Sequence, residues 1–410
     1  MNKRLRVLLI PDRMQWVLGT IAKNIVKYHP QFDFTVLSQG VIEKYPSKFN
    51  GISASYDLIH YLSPHAYLSV SRIVGNEACV VTTIHHVVDW SKIEINTQSD
   101  AIMVVSNEWK KYLISKGVLE SKITVVSSGV DTDLFKPVEE RERIRIRNKL
   151  NIAPHLFLIG FFAKSTSNDS NRKGVDIFLS AIGSLKGVYN SIAVLIVGPG
   201  WDSLIKEFRN FRVQTAYVRF APERDMPKLF GSLDCYWITS RIEGGPITLL
   251  EAMSCGIPVI TTSVGIAKDI VNHGENAFVV PQNDSDGFVK TSLELIFSRA
   301  LRGRIGAEAR NTILNGYQWC QSLRTIPLLY NSALRESKGH KDRSNKLTER
   351  ADEYEKINSN LKIEEELVWA DEIAKMGAKG AAFKIILFLC FSHPIYANAW
   401  KALIKILLKR

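Results

Sequence analysis

The sequence predicts two α/β domains, each a doubly wound parallel sheet, followed by a helical extension. Three observations carry this. The chain has 410 residues, more than one hydrophobic core usually serves, and 46% of them are apolar, enough to fill two cores. Short β-branched or leucine-rich runs alternate with longer amphipathic stretches, the rhythm of strand–helix–strand units. That rhythm runs through once and then restarts. Residues 6–10, 35–37, 58–61, 80–84, 101–105 and 123–126 read as the first set of strands, with an amphipathic helix over 19–28. Residues 156–162, 192–197, 216–220, 235–238, 259–262 and 277–280 read as the second set. Between them, residues 136–151 carry Pro137 and a dense charge run, which suits a linker into the helix before the second sheet. The predicted organisation is therefore a first domain over 1–145, a second over 146–336, whose last helices can cross back to the first, and an extension over 337–410.

Lysine and arginine total 53 against 41 acidic residues, a formal charge of +12. The excess points to anionic partners: nucleic acid, phosphorylated small molecules or acidic lipid surfaces. Cys79, Cys235, Cys255, Cys320 and Cys390 are scattered and never form a CxxC pair, so they read as buried thiols in a reducing compartment, without a disulfide framework or zinc site. The apolar run 7–10 stops at Pro11, too short for a signal segment, and reads as a strand. No run approaches the ~20 apolar residues that span a bilayer, so any membrane contact is expected to be peripheral.

The chemistry concentrates where Ser240-Arg241-Ile242-Glu243-Gly244-Gly245-Pro246-Ile247 leaves a predicted strand and enters a helix that Gly256 and Pro258 end. With that helix starting near Pro246, Gly244 and Gly245 supply amides at its N-terminus, where unpaired N–H groups receive a phosphate or sugar oxygen. Glu243 precedes the helix. Glu251, eight residues on, projects from its body. One carboxylate can accept hydrogen bonds from sugar hydroxyls and the other from a ribose. A helix cap beside a solvated glutamate is the plainer alternative. The order strand, Glu-Gly-Gly-Pro, helix, Glu, Cys-Gly-Ile-Pro, strand is too specific for it.

This segment resembles the E-x7-E signature of the retaining glycosyltransferases of family 4, whose GT-B architecture sets two Rossmann-like domains facing a cleft. The resemblance implies that Glu243 orients the transferred sugar and that Gly244, Gly245, Pro246, Ile247 and Glu251 contact the donor. It extends to Gly129-Val130-Asp131 with Phe135 and Pro137, similar to the family's G-V-D-x-x-x-F-x-P junction. There Gly129 suits a backbone turning near a ligand, while Phe135 and Pro137 pack the linker. Asn171-Arg172-Lys173-Gly174-Val175-Asp176 is similar to the family's K-G-v-d, which implies that Lys173, assisted by Arg172, meets the donor phosphates. An exposed basic turn is the alternative for that segment. The family's arginine in a short turn after the first strand of the second domain is missing here. Lys164 stands in its place, ahead of a long polar loop over 165–171, and a lysine lacks the bidentate fork of an arginine. Val197-Gly198-Pro199-Gly200 fits the family's G-x-G turn, where Gly198 lets the chain approach the nucleotide. Residues 218–220 and 225–234 resemble the segment that holds the base.

The first domain should receive the acceptor. Its first loop lacks the family's Gly-Gly, and only Gly19 can serve that role, with Arg13 and Trp16 offering a cation and a stacking surface to an acceptor sugar; packing is the alternative for Trp16. Thr82-Thr83-Ile84-His85-His86 matches the family's histidine near the reacting end of the sugar, which aligns with His85; His60 and His86 read as satisfied residues. With no DxD metal motif, Lys173, Arg172, Lys164 and helix amides are expected to stabilise the leaving diphosphate, with no metal and no cofactor beyond the nucleotide sugar as substrate. Glu243, His85 and Lys173 are then the catalytic candidates. The resemblance implies transfer, with retained configuration, from a nucleotide-diphosphate sugar to the hydroxyl of a glycan or lipid-linked acceptor, in polysaccharide, lipopolysaccharide or glycolipid synthesis on the cytoplasmic side. A sugar-nucleotide epimerase or a phosphorylase shares the fold, but the Glu243 to Glu251 spacing argues against both. A basic membrane- or nucleic-acid-binding protein is the alternative of another class. Nucleic acid is not expected as a partner. Trp400, Leu403, Ile404, Leu407 and Leu408 form one stripe among lysines, as a helix lying on a membrane does, or as one packed in a hairpin turning at Pro394 does.

Overall fold

The computed structural model of the chain describes residues 4–165, 167–202 and 204–337, together with Leu367, Ala370, Ala382, Ile385 and Ile386. Its described residues form two compact units. The first takes in Met1–Val104, Tyr112–Val126 and Thr325–Arg410; the second takes in Val105–Lys111 and Ser127–Arg324. Each is built on a six-stranded, wholly parallel sheet. The first holds β1 (Arg6–Ile10), β2 (Asp33–Val36), β3 (Leu58–Tyr61), β4 (Cys79–Ile84), β5 (Ala101–Val104) and β6 (Ile123–Val125). The second holds β7 (Phe157–Phe162), β8 (Ile192–Val197), β9 (Gln214–Val218), β10 (Cys235–Ile238), β11 (Val259–Thr262) and β12 (Phe278–Val280). Helices cover both faces of such a sheet, so its central strands read as continuous apolar runs; all six residues of β7 and of β8 are buried.

The strand orders are β2-β1-β3-β4-β5-β6 and β12-β11-β10-β7-β8-β9. Read from β9, the second order is that of a dinucleotide-binding Rossmann sheet, in which the chain starts mid-sheet, winds one way and then the other. The winding reverses between β1 and β3 in the first unit and between β7 and β10 in the second. Loops leaving the carboxyl ends of the strands part at such a point and leave a crevice for a ligand. In the second unit those loops begin at Ala163 and Thr239. In the first they begin at Pro11 and Leu62.

Several expectations change. The ninth strand runs over Gln214–Val218 rather than 216–220, because it is an edge strand whose register is set by pairing Ala193 with Gln214, and Phe220 lies 39% exposed beyond its end. The charge run before the second sheet includes the helix Glu140–Lys149, which lies wholly in the second unit. Arg147 is buried there. Its guanidinium donates to the carbonyls of Ser232 (2.8 Å), Pro154 (3.0 Å) and Leu156 (2.9 Å) and to Asp234 Oδ2 (2.6 Å). Asp234 also accepts from Arg143 and from the Leu158 amide at 2.7 Å, so this charged cluster fixes the start of both β7 and β10. The polar loop over 165–171 contains a short helix, Ser167–Arg172. Cys79, Cys235 and Cys255 are buried as expected, but Cys320 is exposed, and Cys390 lies outside the described residues. The apolar stripe over 400–408 also lies outside them. Leu367, Ala370, Ala382 and Ile386 are helical and buried.

Candidate active site

The crevice of the second unit is lined by the loop following β10. Thr239 and Ser240 end the strand, and Glu243 follows, 6% exposed. Burying a carboxylate is costly unless it is paired, and this one is paired on both oxygens. Oε1 accepts from Lys173 Nζ and from Ser240 Oγ (2.8 Å), and Oε2 accepts from Arg172 Nη1 at 3.2 Å. Burial pushes its pKa up, but the charges of Lys173 and Arg172, with the hydrogen bonds from Lys173 and Ser240, outweigh burial and hold it below the ordinary value. Glu243 is thus an ionised carboxylate flanked by two cations.

The turn that supplies those cations rests on the end of β10. Thr239 Oγ1 donates to the carbonyls of Lys173 and Gly174, both at 2.9 Å. Gly174 has φ +62°, and a Cβ there would lie 2.0 Å from the Thr239 carbonyl oxygen, so only glycine fits. Its partner segment is pinned from the other side. The Glu243 carbonyl accepts from Trp109 Nε1 at 2.8 Å, and the Gly244 carbonyl accepts from the Ile266 amide at 2.9 Å. Glu108 then accepts from the Gly265 amide and from Lys268 Nζ, both at 2.6 Å. Sequence reasoning missed Trp109, Glu108 and Gly265, which lie far from the motif along the chain.

Pro246 occupies the N-cap position of the helix Ile247–Ser254. The helix therefore begins one residue later than expected, and its first amides face the turn of Gly244 and Gly245. A Cβ at Gly245 would sit 3.6 Å from Val105, an ordinary contact, so local packing does not demand glycine there. Glu251, in the body of that helix, is 8% exposed, and among the described residues no cation pairs with it. Burial, with the nearby charge of Glu223, pushes its carboxyl up to about 8, so it carries a proton at neutral pH. The two glutamates of the motif therefore sit in opposite protonation states.

Gly198 and Gly200 answer to the chain itself. Their φ values are +126° and +93°, and added Cβ atoms would meet the carbonyls of Ala163 at 2.2 Å and Ser165 at 1.8 Å. The turns after β7 and β8 are thus packed backbone to backbone, and Lys164 extends from them exposed. Gly129 likewise accommodates Trp319, whose Cα would lie 2.6 Å from a Cβ. Phe135 is buried in the core of the second unit.

In the first unit, His85 follows β4 directly and is half-buried, with Nε2 2.9 Å from the Leu62 carbonyl. A carbonyl only accepts, so Nε2 carries the proton and Nδ1 is left as an acceptor. Burial holds its pKa below the ordinary value, against the opposing effect of that hydrogen bond. His60 is a satisfied core residue, bonded to Tyr330 Oη (3.0 Å) and Thr83 Oγ1 (2.8 Å) and pushed down to about 3 by burial and by His85. Arg13 lies over the Trp16 ring, 4.6 Å from its centroid, so the cation covers part of the expected stacking surface. Gly19 lies in the helix Val17–Tyr28, where a Cβ would come within 2.2 Å of the Met14 carbonyl; its smallness admits the loop backbone. Among the described residues no cluster of His, Cys, Asp or Glu is placed to hold a metal ion, and no helix is long and apolar enough to cross a membrane.

Comparison with known proteins bears on the fold and the family. Residues 144–312 match the family described as glycosyl transferases group 1, and residues 29–134 match glycosyltransferase family 4. The chain is 22% identical over 302 residues to N-acetyl-alpha-D-glucosaminyl L-malate synthase of Bacillus anthracis, covering 69% of this chain and 76% of that one. It is 25% identical over 270 residues to the GDP-mannose-dependent alpha-(1-6)-phosphatidylinositol monomannoside mannosyltransferase of Mycolicibacterium smegmatis, covering 61% of this chain and 69% of that one. Among solved structures it resembles Anabaena HepE in complex with UDP and glucose, with TM-score 0.68 and 17% identity, covering 80% of this chain and all of the other. That likeness establishes the GT-B fold.

Proposed function

The chain belongs to glycosyltransferase family 4 and is a glycosyltransferase that uses a nucleotide sugar, and we propose that it transfers the sugar to an acceptor hydroxyl with retention of anomeric configuration. The observation that carries this reading is the buried Glu243 carboxylate held between Arg172 and Lys173. Two cations fixed beside the sugar-orienting carboxylate are in place to receive a diphosphate, and they need little reorganisation as charge develops on it. In the proposed step the bond between the sugar's anomeric carbon and the diphosphate oxygen breaks, and its electron pair goes to that oxygen. The acceptor oxygen bonds to the same face of the carbon, and its proton passes to the leaving phosphate. Lys173, Arg172, Lys164 and the amides at Ile247 supply the countercharge, without a metal. Glu243 holds sugar hydroxyls and Glu251 holds the ribose, while the Nδ1 acceptor of His85 is the first unit's candidate for a hydroxyl contact.

The relatives are named for GDP-mannose and a phosphatidylinositol glycolipid in one case and for UDP in another, so a nucleotide sugar is the shared donor class. A glycan or lipid-linked acceptor fits them. Arg13, Trp16 and Gly19 border the acceptor in this reading, and the apolar stripe of residues 400–408 gives peripheral contact at the inner face of the membrane. The test is a screen of purified protein against UDP-, GDP-, ADP- and CDP-sugars in EDTA, scored by thermal stabilisation, slow donor hydrolysis and the anomeric configuration of the product by NMR. One donor should stabilise the protein and release its sugar with retained configuration. Stabilisation by none of them, or an inverted product, contradicts the reading.

A further inference from the structure

We propose that Arg241 is a positioning residue for the donor diphosphate, acting through the turn that carries Arg172 and Lys173; the inference rests on the donor reading above. Arg241 lies in the loop after β10, two residues before Glu243. Its guanidinium forks onto Asp176, with Nη1 to Oδ1 at 2.8 Å and Nη2 to Oδ2 at 2.6 Å. Nη1 also donates to the Asn171 carbonyl at 2.8 Å and to its Oδ1 at 3.0 Å. One planar group therefore grips both ends of the segment Asn171–Asp176, whose second and third residues are the two cations.

The backbone completes the clamp. The Arg241 amide donates to the Arg172 carbonyl at 2.8 Å. Asn283 and Gln282 hold Arg241 in turn, with Nε donating to Asn283 Oδ1 at 2.7 Å and Gln282 Nε2 donating to the Arg241 carbonyl at 2.9 Å. The turn bearing the cations and the loop bearing the carboxylate thus move as one piece. A lysine at 241 would supply the charge but not the fork, and could not reach Asn171 and Asp176 together.

The ion pair is too open to matter much for folding, since the Asp176 side chain is 61% exposed, and exposed pairs contribute little stability. A positioning role and a folding role therefore predict different results. The experiment measures calorimetric affinities for UDP, GDP, ADP and CDP, and for the matching monophosphates, in the natural protein and in Arg241→Lys, Arg241→Gln and Asp176→Asn. Diphosphate affinity should fall about tenfold in Arg241→Gln and Asp176→Asn and by less in Arg241→Lys, with monophosphate affinity within about twofold and the melting temperature nearly unchanged. Unchanged diphosphate affinity overturns the proposal. So does an equal loss for mono- and diphosphates with a lowered melting temperature, which marks a folding role. A natural protein that binds none of the diphosphates overturns the donor reading itself, and this inference with it.

Discussion

The crevices at the two winding reversals follow opposite electrostatic plans. Beside β10 in the second unit, ionised groups are buried in pairs: Glu243 against Arg172 and Lys173, and, beneath the strands, Asp234 against Arg143 and Arg147. Beside β1 and β3 in the first unit, burial lowers the pKa of both His60 and His85, which favours the neutral imidazole, and the half-buried cation Arg13 rests on an aromatic ring. A site for a diphosphate must supply charge that is already ordered, because reorganising it during the reaction costs rate. A site for hydroxyl groups needs acceptors and donors at fixed points, and neutral imidazoles serve. The contrast supports the proposed reading, with donor chemistry in the second unit and acceptor chemistry in the first.

Removing charge from the second crevice should have the largest effect. Lys173→Ala is expected to lower transfer by roughly 10²- to 10³-fold, the size of losing one preorganised charge-stabilising group, as read by kcat with a sugar-nucleotide donor. A loss under threefold would erase the contrast. Next comes the charged cluster beneath the strands. Asp234→Ala leaves Arg147 buried without its partner and should destabilise the protein by about 3 kcal/mol in urea unfolding. An effect below about 1 kcal/mol would show that water reaches the cluster.

Glu251 sharpens the comparison through pH. Its folded pKa, about 8, lies above its ordinary 4.5, so the folded state holds a proton there that the unfolded chain releases. The associated stability is complete below pH 4.5 and is lost as pH rises to 8. Glu251→Gln, which cannot titrate, should therefore lose less melting temperature than the natural protein between pH 5 and pH 8, a difference of order several degrees. Parallel curves would place Glu251 in water. The smallest effect is expected in the first unit. Trp16→Ala should raise the acceptor KM a few-fold, with donor affinity unchanged.

Most of the second unit's plan was legible because its determinants are consecutive. Glu243 to Glu251 and Asn171 to Asp176 are short runs whose residue types and order are specific, and the strands between them are unbroken apolar stretches. What was not legible depends on contacts between distant residues. Nothing in the composition of residues 140–149 marks Arg147 as buried while its neighbours stay solvated, and no spacing rule links Trp109 to the Glu243 carbonyl. The glycines show the same limit. Gly129, Gly198 and Gly19 each make room for the chain's own backbone, and sequence alone cannot say which neighbour a missing side chain admits.

The central claim is that Glu243, ionised between two cations, orients the sugar for transfer. Its most direct test compares donor hydrolysis at saturating sugar nucleotide for the natural protein and for Glu243→Gln, which keeps the shape and removes the charge. The account predicts a fall in kcat of about 100-fold, with donor affinity within a few-fold. Equal turnover in the two proteins would contradict it.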